Sequence, residues 1–152
     1  MKKLFFIILF ISNHLFAQNI QPLSNYSLQE LLIDDIANHQ VLKGCISLYS
    51  AITELTKNKY PKLAGEFYEF ANTLYPYGII SLSKMKKISS EEAGKLFFFN
   101  VSNLTDIYIE EMNQNGKKTG SYLKGSFLGN DLFFCNEVTE SIKMVILESL
   151  GK

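Results

Sequence analysis

Arginine and tryptophan are absent, histidine and cysteine occur twice each, and proline appears three times in 152 residues. Without arginine, and with 15 lysines balanced by 15 carboxylates, the chain has no basic surface of the kind that a phosphate backbone requires. Nucleic acid is therefore not the expected partner. No glycine-rich phosphate cradle, internal repeat or low-complexity tract occurs. Beyond the first 17 residues no apolar run approaches the roughly 18 needed to cross a bilayer, so no membrane span is expected. What is present is ordinary globular material: 47% hydrophobic and 20% charged, which predicts one packed domain over 18–152.

The start of the chain reads as an address. Lys2 and Lys3 precede the apolar run 4–11, and Ala17 supplies a small residue for cleavage before Gln18. Eight apolar residues rise only about 12 Å as a helix, too short for a hydrocarbon layer of about 30 Å. Residues 1–17 are thus expected to be a signal peptide, placing the protein in the periplasm or outside the cell. Removing them takes away Lys2, Lys3 and His14 but no acid, so the remainder is slightly acidic and keeps His39 as its sole imidazole. That excludes HExxH and any other site built on two histidines, and no metal or cofactor is expected.

The periodicity of the remainder is helical. Ser27-Leu-Gln-Glu30 has capping-box spacing and opens a stripe of Leu28, Leu32, Ile36, His39, Leu42, Ile46 and Tyr49, with Gly44 a candidate kink. Pro61 suits a first helical turn, and Leu63, Phe67, Phe70 and Leu74 carry a second helix up to Pro76. Ile79, Leu82 and Met85 suggest a short third. Ser89-Ser-Glu-Glu92 caps a fourth, running through Phe97, Val101, Leu104, Tyr108 and Met112, although the run 97–99 of three phenylalanines also fits a strand. The segment 113–120 has loop composition, with Gly116 and Gly120 free to take positive φ, and is expected to protrude. Leu132, Cys135, Val138, Ile142 and Val145 mark a last helix. The fold expected is an all-α bundle of about five helices.

Cys45 and Cys135 lie on apolar stripes near opposite ends of a chain that passes through an oxidising compartment, and a disulfide is the natural pairing. Two buried free thiols are the alternative. Using Cys45 as a nucleophile with His39 as its base is disfavoured by geometry: six positions along one helix separate the side chains by about 120° and about 9 Å. His39, between Ile36 and Leu42, reads as a core or boundary histidine.

Three segments carry a likeness. Residues 41–49, Val-Leu-Lys-Gly-Cys-Ile-Ser-Leu-Tyr, resemble the first cysteine-bearing helix of the type VI secretion amidase-immunity proteins. Residues 64–72, Ala-Gly-Glu-Phe-Tyr-Glu-Phe-Ala-Asn, resemble their second helix, and 120–127, Gly-Ser-Tyr-Leu-Lys-Gly-Ser-Phe, resembles the Ser/Gly/Lys loop before their second cysteine. The resemblance implies a small helical periplasmic protein, commonly a homodimer, that has no catalytic residues of its own. Such proteins block a papain-like Cys-His peptidoglycan amidase by inserting a loop into its groove. Here the matching element is 113–124, with Asn115, Gly116, Lys117, Lys118, Gly120, Ser121, Tyr122 and Lys124 as the expected partner-binding residues. The competing readings are an exported enzyme using Cys45 and His39, a periplasmic chaperone or accessory protein, and a segment 113–124 that is only a solvated connection.

Overall fold

A computed structural model describes residues 20–151. The expected signal peptide, its cleavage point and His14 lie outside the described residues. Among the described residues five α-helices follow a single 3-10 turn at Leu23–Asn25: α1 Leu28–Ile33, α2 Asp35–Thr56, α3 Pro61–Lys86, α4 Ser90–Thr119 and α5 Phe127–Ser149. The fold is all-α, and among the described residues no strand occurs and no helix is long and apolar enough to cross a membrane.

Helix α2 is the axis. It packs chiefly on α3 and α4 and more lightly on α5, so residues around much of its circumference are buried, including Val41, Cys45, Leu48, Tyr49 and Ala51. The core closes around the Cys45–Cys135 disulfide, whose Cα atoms lie 5.3 Å apart and whose sulfurs join α2 to α5 across a sequence separation of 90. Tyr49 packs against the rings of Phe67 and Phe70 from α3. Its hydroxyl reaches the Asn136 and Thr139 side chains of α5 at 2.9 and 3.0 Å. Burial pushes this phenol up to about 12.

Several boundaries differ from the expectation. The stripe from Leu28 to Ile36 is not one helix, because the Asp34 carboxylate accepts from the N–H groups of Ile36 and Ala37 at 2.8 and 3.1 Å and starts α2 afresh. The turn throws Leu32, Ile33 and Ile36 outward, 85, 82 and 62% exposed, instead of into the core. Gly44 does not divide α2. It leaves room for Leu23 of the N-terminal strap, whose side chain would lie 2.6 Å from a Cβ there.

Pro76 does not end a helix either; α3 runs through it and takes in Ile79, Leu82 and Met85, so the expected short third helix is the second half of α3. Proline removes the donor of the Asn72 carbonyl and its ring crowds that carbonyl, but both residues sit on the exposed side, where the helix can bend away from the core. At residues 97–99 the chain is helical, with Phe97 buried and Phe98 and Phe99 exposed, so the strand alternative is excluded. The largest difference falls at 113–119, expected as a protruding loop. These residues are the last two turns of α4, because Tyr108, Met112 and Asn115 continue its buried face and Gly120, at φ 76°, is where the helix stops.

Candidate functional site

The junction of α4 and α5 holds every residue expected to bind a partner. Asn115, Gly116, Lys117 and Lys118 lie on the helix; Gly120, Ser121, Tyr122 and Lys124 form the connection to α5. Asn115 is buried, and its amide nitrogen donates to the carbonyls of Ser121, Tyr122 and Lys124 at 2.8, 3.2 and 3.0 Å. The Thr119 hydroxyl bonds the Asn115 and Ser121 carbonyls, and the Ser121 hydroxyl accepts from Lys124 N–H at 3.1 Å. Tyr122 folds back over Gly116, where a Cβ would meet its ring at 3.2 Å, leaving the aromatic 45% exposed. Gly120 and Gly125 take positive φ, the one conformational demand of the turn that side chains would resist.

The junction is therefore a pinned turn rather than a long flexible loop. Lys117, Lys118 and Lys124 are exposed around it. The first two sit at the C-terminal end of α4, where the helix dipole favours cations. Lys117 and Tyr122 border a shallow hollow of about 380 Å³ that Asn113, Gly116 and Gly120 also line. The arrangement presents one aromatic edge and three positive charges on a backbone held by side-chain hydrogen bonds.

Cys45 and His39 form no catalytic pair. The Cys45 sulfur is bonded to Cys135, and no free thiol exists among the described residues. His39 is buried against Phe97 with ring centroids 5.8 Å apart, and its Nδ1 has no hydrogen-bond partner. Burial, followed by the charges of Lys43 and Lys86, pulls its imidazole down to about 4. Among the described residues no group of three His, Cys, Asp or Glu side chains could hold a metal ion.

Two features escaped the sequence reading. One is Asp131, fully buried on α5, whose Oδ1 accepts from Ser24 N–H at 2.9 Å and so ties down the N-terminal strap. Its spacing from Leu128, Cys135 and Val138 was the available signal, since those positions share one helical face. The other is a groove of about 490 Å³ where α3 and α4 part over α2. Ile46, Val101 and Thr105 lie in it as buried residues, Tyr68 and Phe98 stand on its two helical walls, and Glu54 and Asp106 are its carboxylates. It draws on three helices, so no single stretch of sequence announces it. No protein-family model, curated protein or solved structure matches the chain.

Proposed function

We propose that this protein is an exported immunity protein that binds and inhibits a secreted Cys-His peptidoglycan amidase, using the α4–α5 junction as its anchor. The observation that carries the reading is the triple hydrogen bonding of the Asn115 amide, which holds Tyr122 and the neighbouring lysines in one arrangement before any partner arrives. A rigid turn loses little conformational entropy on binding, and a half-exposed tyrosine is a favoured anchor residue. Lys117, Lys118 and Lys124 give the turn a positive rim, which suits a groove lined with carboxylates. The identity of the target rests on the resemblance of the 41–49, 64–72 and 120–127 segments to the amidase-immunity proteins. The disulfide is compatible with a periplasmic site of action.

A second reading, a periplasmic chaperone or accessory protein, draws on the exposed Leu32, Ile33 and Ile36 at the α1–α2 corner. Suppressed aggregation of unrelated unfolded clients would favour it.

The test is co-expression in the periplasm with an exported Cys-His amidase encoded beside this chain, reading lysis. Protection is expected from the native chain, with Tyr122→Ala and the double reversal Lys117→Glu/Lys118→Glu weakening it and slowing association. Absence of both protection and a co-purifying complex would remove the inhibitory reading.

A further inference from the structure

We propose that the α3–α4 groove is a second interaction surface that receives a basic amphipathic helix of a partner protein. This goes beyond the inhibitory reading and does not rest on it, because the groove and the α4–α5 junction share no lining residue.

The groove exists because the two wall helices meet tightly at one end only. At Gly78 the α3 backbone lies so close to the Phe97 ring of α4 that a Cβ would collide with it. Away from that contact, α3 turns its Phe67 and Phe70 towards Tyr49 on α2, and the space between α3 and α4 opens. The floor is neither hungry for hydrogen bonds nor charged: the Thr105 hydroxyl is satisfied by the Val101 carbonyl at 2.8 Å and the Thr53 hydroxyl by the Tyr49 carbonyl at 2.9 Å. Above it, Tyr68 and Phe98 are 56 and 66% exposed on opposite walls, an arrangement that invites apolar side chains from a third element.

Charge selects the kind of element. Glu54 and Asp106 line the groove and no lysine does. Glu54 shares its charge with Lys57 at 2.5 Å, while Asp106 has no ion-pair partner among the described residues. Anionic ligands are repelled from such a site and a cation with an apolar stem is favoured.

Length selects the form. The lining runs over residues 46–54 of α2, 68–75 of α3 and 98–109 of α4. At 1.5 Å per residue this is roughly 12 to 18 Å, two to three turns of a helix. A helix laid there places an i, i+3, i+4 apolar stripe on the floor and between the aromatic edges, with lysines or arginines at the rim against Glu54 and Asp106.

The test uses the disulfide-bonded chain and two labelled 14-residue peptides of helical spacing, one of leucine and lysine, the other of leucine and glutamate. Fluorescence anisotropy gives the affinities, and backbone amide shifts locate the contact. The lysine peptide is expected to bind with shifts confined to the groove, and the glutamate peptide not to bind. Asp106→Lys and Phe98→Ser should each weaken binding at least tenfold. Glu137→Lys, the same change of charge on α5, should leave it unaltered. All three positions are exposed, so circular dichroism should show an intact fold for each variant. No binding, shifts outside the groove, or equal weakening by Glu137→Lys would overturn the proposal. So would concentration-dependent self-association abolished by Phe98→Ser, which would assign the groove to a second copy, or lysine amide alone binding as tightly as the peptide.

Discussion

Asn115 and Lys124 are nine positions apart, and the buried amide of the first donates to the backbone carbonyl of the second at 3.0 Å. The same nitrogen also reaches the carbonyls of Ser121 and Tyr122, so one side chain sets the course of the whole α4–α5 connection. Asn115→Asp should be more harmful than Asn115→Ala, since a carboxylate would face three carbonyl oxygens with nothing to donate. A loss of about 1 to 3 kcal/mol is expected for Asn115→Ala in urea unfolding at pH 7, and a larger one for Asn115→Asp. Under the proposed function, both should also lose partner affinity while Lys117 and Lys118 remain in place.

The disulfide constrains a loop of some 90 residues, and the chain-entropy model assigns such a closure roughly 4.5 kcal/mol. That is a large share of a typical domain's net stability of about 5 to 15 kcal/mol. The double variant Cys45→Ala/Cys135→Ala should unfold at least about 10 °C lower. Because α5 packs on the bundle more lightly than α3 and α4 do, hydrogen exchange should show α5 losing protection before α2 does. Uniform loss of protection across all helices would instead mean that the bridge acts only through the unfolded chain.

Helical content, the Ser27 and Ser89 caps and the sulfur pairing were legible because each rests on local spacing or on counting: both serines do accept from the N–H three residues on. The ends of elements were less so. Asp34 caps α2 in the middle of an unbroken apolar stripe, and neither a stripe nor an acid by itself reveals which hydrogen bond wins. Pro76 inside α3 and Gly116 inside α4 are overridden by packing that sequence spacing does not display: Leu74 and Gly78 on either side of Pro76 are buried, and Gly116 is covered by Tyr122. At the junction the residues were legible and their form was not, because the composition of 113–120 suits a turn while Met112 and Asn115 belong to the core.

Two glycines of α3 should respond to alanine with opposite signs. At Gly78 the added methyl meets the Phe97 ring, and moving that ring disturbs its edge contact with Tyr75 at 5.3 Å. Overpacking should cost about 1 to 3 kcal/mol, more than the helix propensity that alanine gains. At Gly65 nothing lies within 4 Å of the new Cβ, so Gly65→Ala should stabilise by about 0.5 to 1 kcal/mol. Paired urea titrations with unchanged m-values would verify both.

His39 gives the fold a pH dependence of definite sign. Its imidazole is held at about 4 in the folded protein against an ordinary 6.5, so between those values the unfolded chain takes up a proton that the native state refuses. Stability from this residue is therefore complete above about pH 6.5 and declines as the pH falls towards 4, by about 3 kcal/mol at most. His39→Leu removes the titration together with the unpartnered Nδ1, and should flatten the difference in unfolding free energy between pH 7.5 and 4.5. An equally steep profile in the variant would assign the dependence to carboxylates instead.

Asp131 presents a sharper contrast between charge and shape. It is fully buried, its Oδ1 is used by Ser24 N–H, and its Oδ2 has no partner. The Tyr108 hydroxyl is also buried without a partner, and its ionisation is pushed up by burial and by the Asp131 charge. No lysine pairs with this carboxylate among the described residues. Asp131→Asn keeps the acceptor for Ser24 in a side chain of the same shape, so it should change stability at pH 7 by no more than about 1 kcal/mol. Asp131→Ala deletes the acceptor and leaves a void, so it should lower stability by about 1 to 3 kcal/mol and release the Leu23–Asn25 strap from hydrogen-exchange protection. If asparagine proved as damaging as alanine, the negative charge itself would be what holds the strap, and the neutral reading of that contact would fall.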